Sequence, residues 1–203
     1  METRHEKRRI YNPVQKDAAI FLQTSEETGG ERTLIEIEAA PGGGTTPHYH
    51  KTYAEHFEVL RGALEVQLGK TTHTLRVGQK AVAQINTLHR WHNPTNEPVV
   101  FLVELRPGHS GFEKALTVAY GLAGDGLSNS NGLPKNLYHT ALLFEWGEGR
   151  LPGLFAVLAP LARLLGYKGS HPEYGPSGFV EVNPWPGTPA EQASPGTLQI
   201  EEV

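Results

Sequence analysis

Short apolar runs separated by turn residues constrain the fold of this chain more than any other feature. Between residues 17 and 106 apolar and polar side chains alternate, as in ALEVQLG, where Leu64, Val66 and Leu68 share one face. Gly, Pro and Asn interrupt these runs, and the chain holds 23 Gly and 15 Pro in 203 residues. This pattern predicts many short strands in an antiparallel sandwich or small barrel.

A helical pattern follows the strands from about residue 109. Ser110 with Glu113 forms a capping-box pattern, which predicts a helix over residues 111–120. Pro134 lies near the predicted first turn of a second helix, and Gly147 marks its end.

A third apolar segment, LFAVLAPLARLL, predicts a helix with a kink at Pro160 and an end at Gly166. It is shorter and more interrupted than the roughly 20 apolar residues that a membrane span needs. We therefore expect it to dock on the barrel or on a second subunit rather than on a membrane surface. From His171 the chain is rich in Pro and Gly, which predicts an extended arm or a flexible tail.

Composition excludes several classes of function. The formal net charge is −4, and the basic cluster Arg4–Arg9 is interrupted by Glu6, so we expect no nucleic-acid partner. The chain has no Cys, which excludes disulfides, thiolate catalysis and Cys-ligated zinc. No apolar run follows the N-terminal charges, so we predict neither a secretory signal nor a transmembrane segment and expect a cytoplasmic protein.

The stretch PGGGTTPHYHKTYAEHFEVLRG is either a metal site or a chance cluster of histidines. With 10 His in the chain, one His two places after another arises by chance roughly 0.5 times, so the pair alone proves little. On a strand His48 and His50 face the same way, and Glu55 can return to that side after a short turn. Two imidazoles and a carboxylate are three of the ligands that suit a divalent transition metal.

His89, on another predicted strand, is the fourth candidate ligand. Strand alternation places Trp91 on the same face and His92 on the opposite face, so His92 should point away from the site. The same alternation places Phe57 on the side of Glu55. Trp91 and Phe57 are therefore candidate pocket residues, with simple barrel core as the alternative.

These residues resemble the two sequence motifs of the cupin superfamily. The first motif is matched at every spacing by Gly42, His48, His50, Glu55 and Gly62.

The second motif is matched by Gly78, His89 and Asn93, with two departures. Gln84 stands where Pro is usual, and Asn86 stands where Gly is usual. Asn tolerates the left-handed backbone conformation that a turn Gly supplies. Neither departure removes a ligand.

The resemblance covers about residues 30–105 and implies a mainly β fold, a double-stranded β-helix (jelly-roll) barrel with a C-terminal helical extension. We expect a cupin β-barrel over 1–108, a helical extension over 109–167 and a Pro/Gly-rich extended tail over 168–203. Cupin barrels commonly pair, so we also expect a homodimer.

The resemblance implies a three-His, one-Glu metal site made of His48, His50, Glu55 and His89. Fe, Mn, Ni, Co, Cu and Zn all suit such a ligand set, and the sequence does not distinguish between them.

The chain resembles small bacterial quercetinase-like cupins, which implies a metal-dependent, dioxygenase-like enzyme that acts on a small chelating molecule. A non-catalytic cupin that binds a small molecule is one alternative. A sugar isomerase or epimerase is another, and it requires a buried cation for a phosphate group. Arg61, Arg76 and Arg90 cannot be assigned to the interior from the sequence.

Overall fold

The computed structural model describes residues 8–150. The predicted third helix and the predicted tail lie outside the described residues. The strands before the helices are β1 (Arg9–Asn12), β2 (Asp17–Gln23), β3 (Thr33–Ala39), β4 (Tyr49–His50), β5 (Ala54–Arg61), β6 (Ala63–Leu68), β7 (Thr71–Arg76), β8 (Lys80–Ala83), β9 (His89–His92) and β10 (Val99–Arg106). The helices are α1 (Ser110–Gly124) and α2 (Leu137–Trp146), and β11 (Gly149–Arg150) follows α2.

The strands form antiparallel sheets that enclose one hydrophobic core. The larger sheet has the order β1-β2-β3-β10-β5-β8, a three-stranded sheet has the order β7-β6-β9, and β4 pairs with β11. The core contains side chains from both larger sheets, and the rings of Trp91 and Phe101 meet with centroids 5.1 Å apart. The predicted mainly β jelly-roll barrel with a helical extension is confirmed.

Alternation of side chains determines which face of each central strand is buried. In β10 the buried positions are Val99, Phe101, Val103 and Leu105, and the residues between them are half-buried. Neighbouring strands are in register with this pattern, because Val103 lies opposite Ile35 of β3 and Phe57 of β5. A shift of one residue would turn this apolar set toward solvent, so burial fixes the register.

The beginning of α1 corrects the capping-box prediction. The helix is capped by His109, whose Nδ1 accepts a hydrogen bond from the Phe112 amide at 2.9 Å. Glu113 instead accepts hydrogen bonds from the Ser25 amide and the Thr33 hydroxyl, which join the helix to the barrel.

Both helices also differ from their predicted lengths. The first continues to Gly124 because Leu122 and Ala123 are buried and extend its packed face. The second begins after Asn136, whose side chain caps it, and Gly147 ends it as predicted. No helix within residues 8–150 is long and apolar enough to cross a membrane.

Two short strands were not predicted from the sequence. β1 adds an edge strand to the larger sheet through its pairing with β2. β11 pairs with β4, so Gly149 lies opposite His50 and Arg150 lies opposite Tyr49. The chain that follows α2 is therefore hydrogen-bonded to the strand that carries a candidate ligand.

Candidate metal centre

The four candidate ligands come from three separate parts of the barrel. His50 lies on β4, Glu55 at the start of β5, and His89 at the start of β9. His48 precedes β4 and pairs with His89 through two backbone hydrogen bonds of 2.9 and 2.8 Å. A turn at Asn86 adjoins the site, because its amide donates to the His50 carbonyl at 2.8 Å. Asn86 has a φ of 63°, so it adopts the left-handed conformation expected at this motif position.

These four side chains converge on one point. Their candidate ligand atoms all lie within 4.8 Å of one another. The two oxygens of Glu55 approach Nε2 of His50 at 3.0 Å and Nε2 of His89 at 3.4 Å. The His48 ring lies 4.9 Å from the His50 ring and 4.5 Å from the His89 ring, measured between centroids.

Backbone carbonyls fix the tautomer of two of the histidines. Nδ1 of His48 lies 2.7 Å from the Thr46 carbonyl, and Nδ1 of His89 lies 2.8 Å from the Thr87 carbonyl. A carbonyl oxygen only accepts, so Nδ1 carries the proton in both neutral rings. Each Nε2 is thereby left with a lone pair, as a metal ligand requires.

Tyr53 fixes the tautomer of the third histidine. Its hydroxyl donates to the Gly147 carbonyl at 2.7 Å and lies 2.7 Å from Nδ1 of His50. Because the hydroxyl has a single proton, it accepts the second hydrogen bond, and Nδ1 of His50 is the donor. Nε2 of His50 is therefore also an unprotonated nitrogen that faces the cluster.

The donor set fits a cation. Nε2 of His50 and Nε2 of His89 are buried and have no hydrogen-bond partner among the described residues. In the assigned tautomer the 3.0 Å approach of His50 Nε2 to Glu55 brings two acceptors together, which is unfavourable unless a cation lies between them. Three imidazole nitrogens and a carboxylate suit a divalent transition metal.

The charge states of the ligands are compatible with metal binding. Burial alone would raise the pKa of Glu55, but the close approach of His50 and His89 holds that pKa well below its usual range. Burial, together with the neighbouring His50 and His89, lowers the pKa of His48 to about 3. Part of the His48 surface remains exposed because the ring borders a cavity. At neutral pH Glu55 is an anion and His48 is neutral.

A cavity of about 210 Å³ lies against the cluster, and His48, His50 and Glu55 are among its lining residues. The other wall residues come from the barrel, from both helices and from the loop between them. They include Ile35, Ile37, Trp91, Val103, Phe112, Leu116, Tyr120, Leu133, Leu143 and Phe144.

The two predicted pocket aromatics have different positions. Trp91 lines the cavity. Phe57 lies in the barrel core with 1% of its surface exposed, and it is not among the cavity-lining residues. Its ring contacts the His89 ring edge-on, with the two centroids 6.2 Å apart. His92 lies outside the cluster and donates from Nδ1 to the Gly43 carbonyl at 3.1 Å.

Two features of the site were not found in the sequence. The first is Tyr53, which lies in the turn between His50 and Glu55. Its position three residues after His50 was the only indication in the sequence that the two side chains could meet. The wall residues of α1 and α2 carried no motif, because apolar positions on a helix are typical of any packed face.

The charge of the cavity wall indicates which classes of small molecule the cavity can hold. Among the described residues that line the cavity there is no Lys or Arg. Arg61, Arg76 and Arg90 are exposed. A phosphate group in this cavity would have no cationic side chain of the described residues to neutralise it.

Comparisons with known proteins identify the barrel. Residues 35–104 match a family model described as Cupin domain. No curated protein sequence matches the chain. Among solved structures, TT1209 from Thermus thermophilus is 25% identical, with a TM-score of 0.44, over 53% of this chain and 98% of that protein.

Two further solved structures match part of the chain. KdgF from Halomonas sp. is 19% identical, with a TM-score of 0.43, over 47% of this chain and 82% of that protein. A predicted oxalate decarboxylase from Thermotoga maritima is 16% identical, with a TM-score of 0.44, over 45% of this chain and 80% of that protein.

Proposed function

This chain belongs to the cupin superfamily through its domain at residues 35–104, and we propose that it is a metal-dependent, dioxygenase-like enzyme. His48, His50, Glu55 and His89 are the proposed ligands of one divalent transition metal, of the group Fe, Mn, Ni, Co, Cu and Zn. The proposed substrate is a small molecule that chelates the metal through adjacent oxygens.

The single observation that carries the proposal is the shared tautomer of the three histidines. Each ring donates from Nδ1 to a protein oxygen, so each has an Nε2 lone pair available for a metal ion. Hydrogen bonds of this kind orient ligating histidines in metal sites and raise their basicity.

A bound divalent metal would supply open coordination positions for a chelating substrate and for dioxygen. The protein residues hold that ligand set in place and keep its surroundings apolar. Glu55 contributes the anionic charge that offsets part of the metal charge. Trp91 and the apolar wall limit water beside the reacting molecule. Dioxygen is the oxidant, and both of its atoms enter the product, so the proposed reaction needs no separate reductant.

Metal content tests the ligand assignment. Purified wild-type protein should contain close to one transition metal ion per chain by elemental analysis. The His48→Ala, His50→Ala and His89→Ala variants should lose most of it, because each removes one nitrogen ligand. His92→Ala is the matched control and should retain it. Circular dichroism shows whether each variant folds, and a folded His50→Ala variant with full metal content contradicts the assignment.

Oxygen uptake tests the reaction class. Flavonols, catechols and other enediol-like compounds should accelerate oxygen consumption only in the metal-loaded protein, as an oxygen electrode records. Glu55→Gln should reduce the rate by orders of magnitude, because it removes the ligand charge and preserves the side-chain shape.

The same screen distinguishes enzyme from binding module. Tight binding of a small molecule without oxygen consumption or product, with every metal in the group, would replace the dioxygenase proposal with a non-catalytic binding cupin. The lack of Lys and Arg among the described wall residues does not favour the sugar isomerase or epimerase alternative.

A further inference from the structure

The cavity beside the candidate metal centre is bordered by the metal-ligand cluster and has otherwise largely apolar walls. Among the apolar wall residues, α1 contributes Phe112 and Leu116, and α2 contributes Leu143 and Phe144. A small molecule bound in the cavity would therefore lie largely against carbon atoms, many of them supplied by the helical extension.

Several polar groups in the wall are already used within the protein. The Thr46 hydroxyl donates to the Asn131 carbonyl at 2.9 Å, and the Thr140 hydroxyl donates to the Pro134 carbonyl at 3.2 Å. The Tyr120 hydroxyl donates to a carboxylate oxygen of a buried aspartate. These three donors are directed at protein acceptors rather than at a ligand.

The described wall carries no cation that could pair with an anionic ligand. Glu55 is the only Lys, Arg, Asp or Glu among the described lining residues, and it belongs to the ligand cluster. An anionic group on the remote part of a ligand would lose its water without gaining a partner, which is costly. An apolar group at the same position gains free energy by leaving water.

Volume limits the size of the enclosed part of the ligand. The cavity measures about 210 Å³. For comparison, an apolar cavity of about 150 Å³ in another protein holds one benzene molecule. One aromatic ring with a short substituent therefore fits within the enclosed space.

We infer that the small molecule bound at this site is neutral, with a chelating oxygen pair at one end and an apolar body whose enclosed part is a single ring. The inference rests on the proposed function, because the oxygen pair needs the metal. It goes further by assigning recognition of the apolar body to α1 and α2.

Three catechols that share the chelating unit and differ in the remote group test this inference. Zinc-loaded protein, which is redox-inert, is titrated without oxygen by isothermal calorimetry with catechol, 4-methylcatechol and 3,4-dihydroxybenzoate. We expect 4-methylcatechol to bind about fourfold more tightly than catechol, since its methyl group is buried. We expect 3,4-dihydroxybenzoate to bind at least roughly tenfold more weakly than catechol, since its carboxylate is desolvated.

A pair of helix variants assigns the effect to the wall. Ala119 lines the cavity on α1, whereas Thr117 lies on the same helix outside the lining set. Ala119→Phe fills the cavity and should weaken 4-methylcatechol binding at least roughly tenfold while zinc content stays unchanged. Thr117→Phe adds the same ring elsewhere and should leave binding within about twofold of wild type.

The outcomes separate the inference from the proposed function. Failure of the wild-type protein to bind zinc or any other metal of the proposed group overturns both. Zinc binding with equal affinity for the three catechols, or with the carboxylate bound most tightly, overturns the inference and leaves the metal site intact. Unchanged 4-methylcatechol binding in folded Ala119→Phe also overturns the inference. The wild-type ligand series decides the question by itself if that variant does not fold.

Discussion

At the scale of single residues, the least expected group is an acid buried near the cavity rather than in the ligand cluster. Asp17 begins β2 with 1% of its surface exposed, and one of its oxygens accepts from the Tyr120 hydroxyl. Its other oxygen, Oδ1, has no hydrogen-bond partner among the described residues. Burial raises the pKa of Asp17 to about 7, and the Tyr120 hydrogen bond offsets only part of that rise.

Replacing Asp17 by Asn should therefore stabilise the fold at high pH. The folded protein retains the Asp17 proton up to about pH 7, whereas the unfolded chain loses it near 3.8. The stability of the wild type thus falls as pH rises between these values, and an Asn, which is neutral throughout, avoids that loss. Urea unfolding should show Asp17→Asn more stable above pH 7, by at most on the order of 4 kcal/mol, and no such gain below about pH 4.

The control for this experiment is an exposed carboxylate. Glu31, which precedes β3, is exposed. Glu31→Gln should change the free energy of unfolding by less than about 0.5 kcal/mol at every pH. An Asp17→Asn variant that is equally destabilised at all pH values would show that the carboxylate contributes a needed contact in both protonation states.

At the scale of secondary structure elements, the end of α2 is tied to a candidate metal ligand. The Gly147 carbonyl accepts from Tyr53, and the Tyr53 hydroxyl accepts from Nδ1 of His50. The same segment continues into β11, which pairs with the strand of His50. The helical extension and the metal centre therefore share one hydrogen-bonded connection.

Removing the Tyr53 hydroxyl should weaken metal binding without abolishing it. In Tyr53→Phe both His50 Nδ1 and the Gly147 carbonyl lose a partner, so the imidazole is less firmly oriented. We expect about a 10–100-fold loss of metal affinity in a chelator competition assay, with close to one ion per chain at saturating metal. Tyr49→Phe, on the strand of His50, is the control and should keep wild-type affinity. Equal affinities for the two variants would contradict a positioning role for Tyr53.

These elements differ, for physical reasons, in how far local sequence patterns predict them. Alternation predicted the central strands because burial on one face dictates the positions of Val99 and Phe101 along β10. The cap of α1 was assigned incorrectly because a histidine, His109, accepts the amide hydrogen bond that a serine usually accepts. The β4–β11 pairing joins two-residue strands that are remote in the sequence, so it has no local periodicity to detect.

The sequence also predicts only part of the candidate site. The motif spacings selected His48, His50, Glu55 and His89, and the structure brings these four side chains together. Their Nδ1 partners, however, include two backbone carbonyls, which leave no trace in residue identity. The cavity wall depends on where α1 and α2 dock, and this docking is a tertiary property that local patterns do not encode.

At the scale of the whole molecule, the barrel and the helical extension depend on each other. The helices cover apolar barrel residues such as Ile35, Ile37 and Val103, which line the cavity. Without them this wall would face water, and a contiguous apolar patch on a surface promotes association.

Deletion of residues 110–203 should therefore give an insoluble or wrongly associated barrel, while the full chain is expected to sediment as a homodimer. Analytical ultracentrifugation measures the association state, and binding of an apolar dye reports the exposed patch. A folded, metal-binding truncation with an unchanged oligomeric state would contradict this mutual dependence.

The pairing of β11 with β4 has a consequence for slow motions of the protein. An opening of the helical extension that separates these strands also removes the carbonyl that holds Tyr53, and so loosens His50. Thermodynamic linkage makes this coupling reciprocal, so an ion that binds more tightly to the closed form lowers the population of the open form. The amide protons of α2 and β11 would then exchange with deuterium more slowly in the loaded protein, and the exchange rate of a segment outside the barrel would report occupancy inside it.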